Sequence, residues 1–353
     1  MARILMKGNE AIGAAAIKAG CKFFFGYPIT PQNELPEFMA REFGKHGGTF
    51  LQAESEVAAI NMVYGAAGAG ARVMTSSSSP GIALKQEGIS YIAGAELPCV
   101  IVNIVRGGPG LGGIQPAQSD YYQSTRGGGN GDYRLVVYAP ANLQEAVDLT
   151  MEAFEVADYY RNPVMVLGDG MIGQMMEPIE FKEPKKRELP SKDWATTGTK
   201  GKRKPNIINS LRLAPAELEK LNHKIQDKLK KIEENEVMYE MYNMEKPELV
   251  FCAYGTTSRI VKNTIELLKS EGINAGLIRP ITLWPFPYKA FEEIPETAKA
   301  ILTVEMSCGQ MVDDVKIGIS GKLPVGFYGR VGGMIPSPQE IVDKAKEMLG
   351  GVK

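Results

Sequence analysis

Two carboxylates, Glu54 and Glu56, stand where a predicted strand (residues 48–51) meets a predicted helix rich in alanine. Small residues allow a backbone or a flat ligand ring to approach closely. A carboxylate in the first turn of a helix lies at the positive end of the helix dipole. If that turn is buried, Glu56 can exchange a proton with a ligand nitrogen. For a glutamate considered alone, a charge that only complements the dipole is the simpler interpretation.

A second candidate is the loop Gly26-Tyr27-Pro28-Ile29-Thr30-Pro31, which follows a predicted strand. Prolines restrict its backbone, so Thr30 would present its hydroxyl, and its neighbours Pro28 and Ile29 their backbone, in a fixed geometry. An ordinary turn, with Thr30 as the helix cap and Pro31 in the first helical position, explains the same residues without a ligand.

Hydroxyl groups and a guanidinium follow two further strands. The run Ser76 to Ser79 precedes Pro80-Gly81 at a helix start, where hydroxyls and free amides suit a carboxylate or a phosphate. Capping alone would account for one serine but not for four. Arg106 begins a glycine-rich loop after an apolar strand, and its planar fork matches a carboxylate. A surface arginine is the alternative, which the room left by the neighbouring glycines disfavours.

The elements that must position these groups alternate between strand and helix periodicity, which predicts an α/β fold with a mostly parallel sheet. The candidate residues fall at the carboxyl ends of several strands, where open parallel sheets bind ligands. The strands predicted for the first half are residues 21–27, 48–51, 71–75, 99–105, 135–138 and 164–167.

Changes in local composition divide the 353 residues of the sequence into three parts. Residues 1–180 form the first α/β domain, and residues 181–248 are charged and predict a connecting arm that crosses the surface or a partner subunit, outside any core. Residues 249–353 begin a second, smaller α/β pattern. Met238, Tyr239, Met241 and Tyr242 indicate that the arm packs against something rather than being a disordered linker.

Composition excludes several functions. A formal net charge of -1 gives no basic footprint for nucleic acid or membrane surfaces. Four scattered cysteines match neither a disulfide framework nor the spacing of metal ligands, and two histidines make Ser-His-Asp or Cys-His chemistry improbable. The amino terminus lacks a signal-peptide pattern and no apolar run is long enough to span a bilayer, so we expect a cytoplasmic protein.

Taken together, these motifs resemble the alpha subunit of 2-oxoacid:ferredoxin oxidoreductases. The resemblance rests on Tyr27-Pro-Ile-Thr-Pro31, Gln52-Ala-Glu-Ser-Glu56, Thr75-Ser-Ser-Ser-Ser-Pro-Gly81 and Arg106-Gly-Gly-Pro109, and it continues through Ile278 to Pro287 and Tyr328 to Gly333. It is strongest for the 2-oxoisovalerate (branched-chain) type, with the 2-oxoglutarate type next.

This resemblance implies a domain that binds the pyrimidine of thiamine diphosphate, followed by a transketolase-C-terminal-like domain. Glu56 would be catalytic and hydrogen-bond N1′ of the aminopyrimidine. Thr30 and Arg106 would bind the substrate carboxylate. The other cofactor-binding residues are Pro28, Ile29, Ser78 and Ser79.

The resemblance further implies oxidative decarboxylation of a 2-oxoacid to acyl-coenzyme A with reduction of ferredoxin. The thiamine diphosphate would be shared with a beta subunit. Mg²⁺ and 4Fe–4S clusters would lie on the beta and ferredoxin-like (gamma) subunits, in a dimer of hetero-oligomers, and this chain would carry no metal ligand. Neither nucleic acid nor a membrane is expected as a partner.

Gly168-Asp169-Gly170 matches the start of a magnesium-pyrophosphate motif of thiamine enzymes, but the expected Asn is missing downstream, so we predict a turn. Three alternatives stay open. The substrate would be 2-oxoglutarate or pyruvate, the chain would serve another thiamine enzyme built from split chains, or it would be a non-catalytic scaffold.

Overall fold

The computed structural model describes residues 3–183 and 187–351, so residues 184–186 of the predicted arm, and the two residues at each end of the chain, lie outside it. The strands are β1 Ile4–Lys7, β2 Phe23–Gly26, β3 Thr49–Gln52, β4 Val73–Ser77, β5 Cys99–Val105, β6 Val136–Tyr138, β7 Pro163–Asp169, β8 Met176–Ile179, β9 Tyr239–Tyr242, β10 Leu249–Cys252, β11 Ala275–Pro280, β12 Thr282–Trp284, β13 Ala300–Glu305 and β14 Val325–Gly329. The helices are α1 Gly8–Lys18, α2 Glu34–Glu42, α3 Glu56–Gly68, α4 Ser79–Gly94, α5 Tyr121–Thr125, α6 Leu143–Tyr160, α7 Gly170–Gln174, α8 Pro215–Asn235, α9 Gly255–Ser270, α10 Met311–Ile319 and α11 Pro338–Gly351.

The larger sheet of the described chain has seven strands in the order β12-β6-β7-β5-β4-β2-β3. Its strands run parallel except β12, which pairs antiparallel with β6. Central strand β5 is buried along its whole length, as its continuous apolar sequence predicts for a strand covered on both faces. The predicted α/β class is therefore confirmed.

The second sheet has the order β14-β13-β10-β11-β9 within the described residues, and only its edge strand β9 is antiparallel. Helices α9 and α11 pack on this sheet around a separate apolar cluster. A short antiparallel pair, β1 with β8, joins the start of the first domain to its end. No helix in the described ranges is both long and apolar enough to cross a bilayer.

Two segments cross the boundaries predicted at residues 180 and 248. Tyr239–Tyr242, from the predicted arm, forms the edge of the second sheet. Thr282–Trp284, from the predicted second domain, forms an edge of the first sheet. Strand pairing between distant segments is not encoded in local periodicity, so the sequence did not indicate either exchange.

The interpretation of residues 181–248 as an arm outside any core also needs correction. Helix α8 buries Ile225, Leu229 and Ile232 in the apolar cluster that covers one face of the first sheet. Its spacing of three or four residues places these side chains on one stripe of an otherwise charged helix. The charged composition of the segment concealed this stripe.

The two domains are joined through the buried amide of Gln118. Its side chain donates to the Tyr254 carbonyl (2.9 Å) and accepts from the Thr257 hydroxyl (2.7 Å) and the Met306 amide (3.0 Å). Arg279 adds a bidentate pair with Glu145. Because a buried amide is costly when unpaired, this network fixes one domain against the other.

We predict that Ile232→Ala lowers the free energy of unfolding by about 2–5 kcal/mol, through lost apolar burial and a cavity. Leu218→Ala, on an exposed position of the same helix, is the matched control and should change stability by less than about 0.5 kcal/mol. Urea unfolding of both variants makes the comparison, and equal midpoints would show that α8 is not part of the core.

Candidate functional site

Glu56 begins helix α3 and is buried, with 7% of its surface exposed. Ser55 is the N-cap, and its hydroxyl accepts the amide of Ala58 at 3.1 Å. The carboxylate thus lies in the first turn of a properly capped helix, where the dipole favours a negative charge. Glu54, two residues earlier, is exposed, so the structure separates the two candidate carboxylates.

Gly81, in the first turn of α4, makes room for the Glu56 side chain. A Cβ on Gly81 would lie 2.7 Å from Glu56 Oε1 and 2.1 Å from Ser77 Oγ. Both distances are far below van der Waals contact, so only glycine allows these two side chains to reach the helix backbone. The starts of α3 and α4 therefore meet at the carboxyl end of the parallel sheet.

Some hydroxyls of the serine run have a hydrogen-bond partner and others have none among the described residues. Thr75, Ser77 and Ser78 are buried, and their hydroxyl oxygens have no hydrogen-bond partner among the described residues. Ser76 instead donates to Gln32 at 2.6 Å. Unpaired buried hydroxyls are costly, and the Ser77 hydroxyl lies close to the Glu56 carboxylate across Gly81. This combination is typical of a site that a polar ligand completes.

The hydroxyl of Ser79 is engaged by the backbone of Arg106. It accepts the Arg106 amide at 3.1 Å, and its own amide donates to Asn103 Oδ1 at 3.1 Å. Asn103 in turn donates to buried Asp120 at 3.0 Å. Burial raises the pKa of Asp120 above its ordinary value, which the bonds from Ser79 and Asn103 oppose. Ser79 therefore supports the Arg106 loop.

The side chain of Arg106 is partly buried and bridges two loops. Its guanidinium donates to the Thr30 carbonyl at 2.8 Å and to the Leu111 carbonyl at 3.1 Å, while its buried Nε lacks a partner among the described residues. The simple surface arginine weighed above is therefore wrong. One of its two acceptors lies on Leu111, a residue that is 90% exposed.

The Thr30 loop is held from several sides. Asn33 donates to the Thr30 hydroxyl at 3.1 Å, and both Asn9 and Gln174 donate to the Pro31 carbonyl at 2.9 Å. Pro28 is exposed and Ile29 half-buried. The rigid loop expected from the prolines is present, with its first half facing outward.

The second domain contributes to the same region. Gly107 lies against the backbone of Gly332 and Gly333, and a Cβ on Gly333 would approach Gln115 to 2.3 Å. An open cleft of about 660 Å³ next to Thr30 includes Gln115 and, from the second domain, Ile335. Its other lining residues are Pro31, Asn33, Glu34, Ile114, Pro116, Gly170, Met171, Gln174 and Met175.

One continuous set of contacts therefore connects the predicted site residues. Glu56 contacts Gly81, Ser79 in the same turn binds the Arg106 backbone, and Arg106 binds Thr30. Asp169 is not part of it: its carboxylate caps α7 by accepting the amides of Met171 and Ile172. The turn predicted at Gly168-Asp169-Gly170 needs correction: Gly168 and Asp169 end β7, and Gly170 begins α7 directly after them.

Sequence reasoning missed Lys85, Gln32 and Asn103. Lys85 is fully buried on α4, and burial lowers its pKa to about 8, although the charge of Glu56 opposes this shift. A lysine on a helix is normally exposed, so its burial gave no signal in the sequence. Gln32 lay within reach of the Thr30 motif, but a single amide in a loop is not a distinctive pattern.

The cysteines are dispersed in the structure as in the sequence. Cys21, Cys99 and Cys252 are buried and Cys308 is exposed, all as free thiols. Burial raises the pKa of Cys21 and of Cys99 to about 12. In the part of the chain that the structure describes, no group of three or more His, Cys, Asp or Glu side chains is arranged to hold a metal ion.

Comparison with known families agrees with this geometry. Residues 14–244 match the thiamine diphosphate-binding domain of pyruvate flavodoxin/ferredoxin oxidoreductases, and residues 247–341 match core domain II of pyruvate:ferredoxin oxidoreductase. Residues 14–244 thus belong to the thiamine diphosphate-binding family of domains.

Individual related proteins define the family of oxidoreductases more closely. The chain is 50% identical, over 99% of both lengths, to ketoisovalerate oxidoreductase subunit VorB of Methanothermobacter thermautotrophicus. It is 35% identical to 2-oxoglutarate synthase subunit KorA of Methanocaldococcus jannaschii, over 95% of this chain and 97% of the relative. The chain belongs to the 2-oxoacid:ferredoxin oxidoreductase family and is an oxidoreductase subunit. The subunit letters B and A differ between these names, so the label alpha is a matter of convention.

Solved structures share the fold. The 2-oxoglutarate:ferredoxin oxidoreductase of Magnetococcus marinus, with 2-oxoglutarate, coenzyme A and succinyl-CoA bound, superposes with a TM-score of 0.85 at 28% identity. The match covers 98% of this chain and 65% of that longer chain. An inactive tetramer of a split-gene transketolase matches 99% of both chains at 16% identity and a TM-score of 0.62, which shows the shared fold alone.

We predict that Gly81→Ala abolishes high-affinity binding of thiamine diphosphate, because the added Cβ displaces Glu56 and Ser77. Helix propensity alone would make the same change stabilising by about 1 kcal/mol. Gly65→Ala is the matched control, since a Cβ there meets nothing within 4 Å and the residue is also helical. Isothermal titration of the assembled complex measures the affinity, and unchanged binding by Gly81→Ala would contradict the packing.

Proposed function

We propose that this chain supplies the pyrimidine side of a thiamine diphosphate site in a multisubunit 2-oxoacid:ferredoxin oxidoreductase. The observation that carries this proposal is Glu56: a buried carboxylate at a capped helix start, held against Gly81 and close to the unpaired buried hydroxyl of Ser77. These groups suit a flat ring that carries hydrogen-bonding nitrogens. The Ser78 hydroxyl and the Pro28–Ile29 backbone would complete the contacts with that ring.

When bound, thiamine diphosphate supplies the nucleophilic carbon and the electron sink that decarboxylation of a 2-oxoacid requires. The role of Glu56 is to hold a proton at N1′ of the pyrimidine. The dipole of α3 favours the ionised carboxylate, while burial excludes water that would compete for the proton. Ser55 caps α3 and so fixes the position of its first turn, which carries the Glu56 carboxylate.

Arg106 and Thr30 would bind the carboxylate of the 2-oxoacid. A carboxylate is a stronger acceptor for a guanidinium than a carbonyl is, so the substrate would displace the exposed Leu111 carbonyl and leave the Thr30 contact in place. Ser79 holds the Arg106 backbone meanwhile. Thr30 would add its hydroxyl, which Asn33 orients.

The substrate we propose is a branched-chain 2-oxoacid such as 2-oxoisovalerate. No lysine or arginine is among the described residues that line the cleft beside Thr30, whereas Ile114, Met171, Met175 and Ile335 offer apolar surface. A second carboxylate, as in 2-oxoglutarate, would find no cationic partner there. The relatives at 50% and 49% identity are ketoisovalerate oxidoreductase subunits, which supports the same choice.

The remaining parts of the reaction would belong to partner subunits. Exposed apolar side chains are present on the elements that carry the site, namely Tyr27, Leu51, Val57 and Leu84, and a beta subunit would cover them. That subunit would bind Mg²⁺ and the diphosphate. Two electrons would leave one at a time through 4Fe–4S clusters on the beta and ferredoxin-like subunits to ferredoxin, and coenzyme A would accept the acyl group.

Replacement of Glu56 tests the assignment directly. We expect Glu56→Gln to leave the complex assembled while lowering turnover by about 10²–10⁴-fold, the usual contribution of a positioned proton-exchanging group. The matched control is Glu54→Gln, which removes an exposed carboxylate two residues away. Reduction of ferredoxin or a viologen dye reports turnover, and near-normal activity in Glu56→Gln would remove this residue from the mechanism.

Kinetics with several substrates test both the binding role of Arg106 and the substrate preference of the cleft beside Thr30. We expect Arg106→Ala to raise KM for every 2-oxoacid by about 10–100-fold, because a bidentate charged hydrogen bond of about 1.5–3 kcal/mol is lost. In the unaltered complex, kcat/KM should be highest for 2-oxoisovalerate and lower for pyruvate and 2-oxoglutarate. An unchanged KM would exclude Arg106 from substrate binding, and a preference for 2-oxoglutarate would overturn the branched-chain assignment.

A further inference from the structure

Helices α3 and α4 are packed closely through glycines of α4. Gly81 lies against Glu56, and Gly88 lies against Ile60, where an added Cβ would approach the Ile60 side chain to 2.5 Å. Lys85 stands between these two glycines, one turn after Gly81. Residues at i, i+4 and i+7 share one face of a helix, so Lys85 is on the face of α4 that packs against α3.

The ammonium group of Lys85 is in an unusual position. The residue has no exposed surface, and its Nζ has no hydrogen-bond partner within the described chain. Buried lysines are rare unless they are paired, and an unpaired buried charge is strongly unfavourable. The proposed function does not use the Lys85 ammonium group.

Glu56 is the charged group whose field acts on Lys85, and its attraction opposes the effect of burial. Strands β5 and β7 also pack against α4, and Tyr133 donates a hydrogen bond to Gln86 of α4. Strand β5 carries Cys99, whose thiol pKa burial raises to about 12, and β7 carries Asp169, which is engaged in capping α7. At neutral pH, Lys85 therefore has Glu56 as its electrostatic counterpart.

We propose that Lys85 is a positioning residue that acts through Glu56: its ammonium group attracts the carboxylate and holds it directed toward the pyrimidine of thiamine diphosphate. This inference rests on the proposed function. The ionised carboxylate accepts a hydrogen bond from a protonated ring nitrogen, whereas the neutral acid does not hold that proton. A nearby cation thus places the shared proton on the ring.

The sign of the pH effect follows from the two charges. The ammonium group of Lys85 attracts the Glu56 carboxylate only while its own amine is protonated. The pKa of Lys85 is lowered to about 8 by burial, so the cation is present at pH 7 and is lost as the pH rises through this value. The contribution of Lys85 to cofactor binding should disappear over the same range.

The experiment measures the Kd of thiamine diphosphate for the assembled complex by calorimetry, from about pH 6 to about pH 9.5. The test variant is Lys85→Met, which removes the charge and keeps the length of the side chain. The control variant is Lys228→Met. Lys228 is largely buried, with 12% of its side chain exposed, and its pKa is also lowered to about 8, but it is on α8 and its counterpart is Glu96.

We expect Lys85→Met to raise the Kd about tenfold at pH 7, which corresponds to the loss of about 1.4 kcal/mol of electrostatic attraction. The ratio of the Kd of this variant to that of the unaltered complex should approach one at about pH 9.5, where Lys85 is neutral. Lys228→Met should give a ratio near one throughout. If Lys85 only fills the helix interface, Lys85→Met binds as the unaltered complex does at every pH, and the proposal is overturned.

Should Lys85→Met fail to assemble, the unaltered complex decides the matter. The unaltered complex and Lys228→Met both retain Lys85, so both should lose affinity for thiamine diphosphate above about pH 8. A Kd of the unaltered complex that stays constant from about pH 7 to 9.5 would contradict the proposal. Failure of the unaltered complex to bind thiamine diphosphate at any pH would instead overturn the proposed function, so the two failures are distinguishable.

Discussion

The absence of a side chain at Gly81 allows the Glu56 carboxylate to reach the first turn of α4. This contact brings together the starts of two helices, α3 and α4, whose dipoles both favour negative charge. It also sets the spacing of the surrounding groups, because Ser77, Ser78 and Ser79 belong to the same turn or the strand end before it. A site built this way is held by backbone packing rather than by flexible side chains.

The second domain completes this arrangement from outside. Gln118 ties the loop after β5 to the start of α9 and to the end of β13. The same loop carries Arg106 at its beginning, and Gly107 lies against Gly332 and Gly333 of the second domain. The geometry around Arg106 therefore depends on the contact between the two domains. This dependence explains why the motifs that carry the family resemblance occur in both domains.

Local sequence was sufficient for the elements that carry their own pattern. Strand β5 occupies the predicted residues 99–105, and the helix predicted after Glu54 begins at Glu56. Each of these is determined by nearby residues: an apolar run in one case, and a capping serine with small helix formers in the other. The clustering of Thr30, Glu56, Ser79 and Arg106 also followed from strand polarity alone.

The features that sequence could not reveal depend on long-range packing. Strand β12 has three residues, and nothing within them specifies that they pair with β6 rather than with the second sheet. The burial of Lys85 depends on two glycines of α4 that bring α3 close, and a lysine flanked by Leu84 and Gln86 has no distinguishing local pattern. Tertiary contacts overrule local preference in both cases.

The most direct test is an experimental structure of the assembled complex with thiamine diphosphate bound. In that structure, a Glu56 carboxylate oxygen should lie within hydrogen-bonding distance of N1′, about 2.6–3.2 Å, in a cleft closed by a partner subunit that holds the diphosphate. A structure in which the pyrimidine lies elsewhere, with Glu56 facing solvent or another protein group, would contradict it.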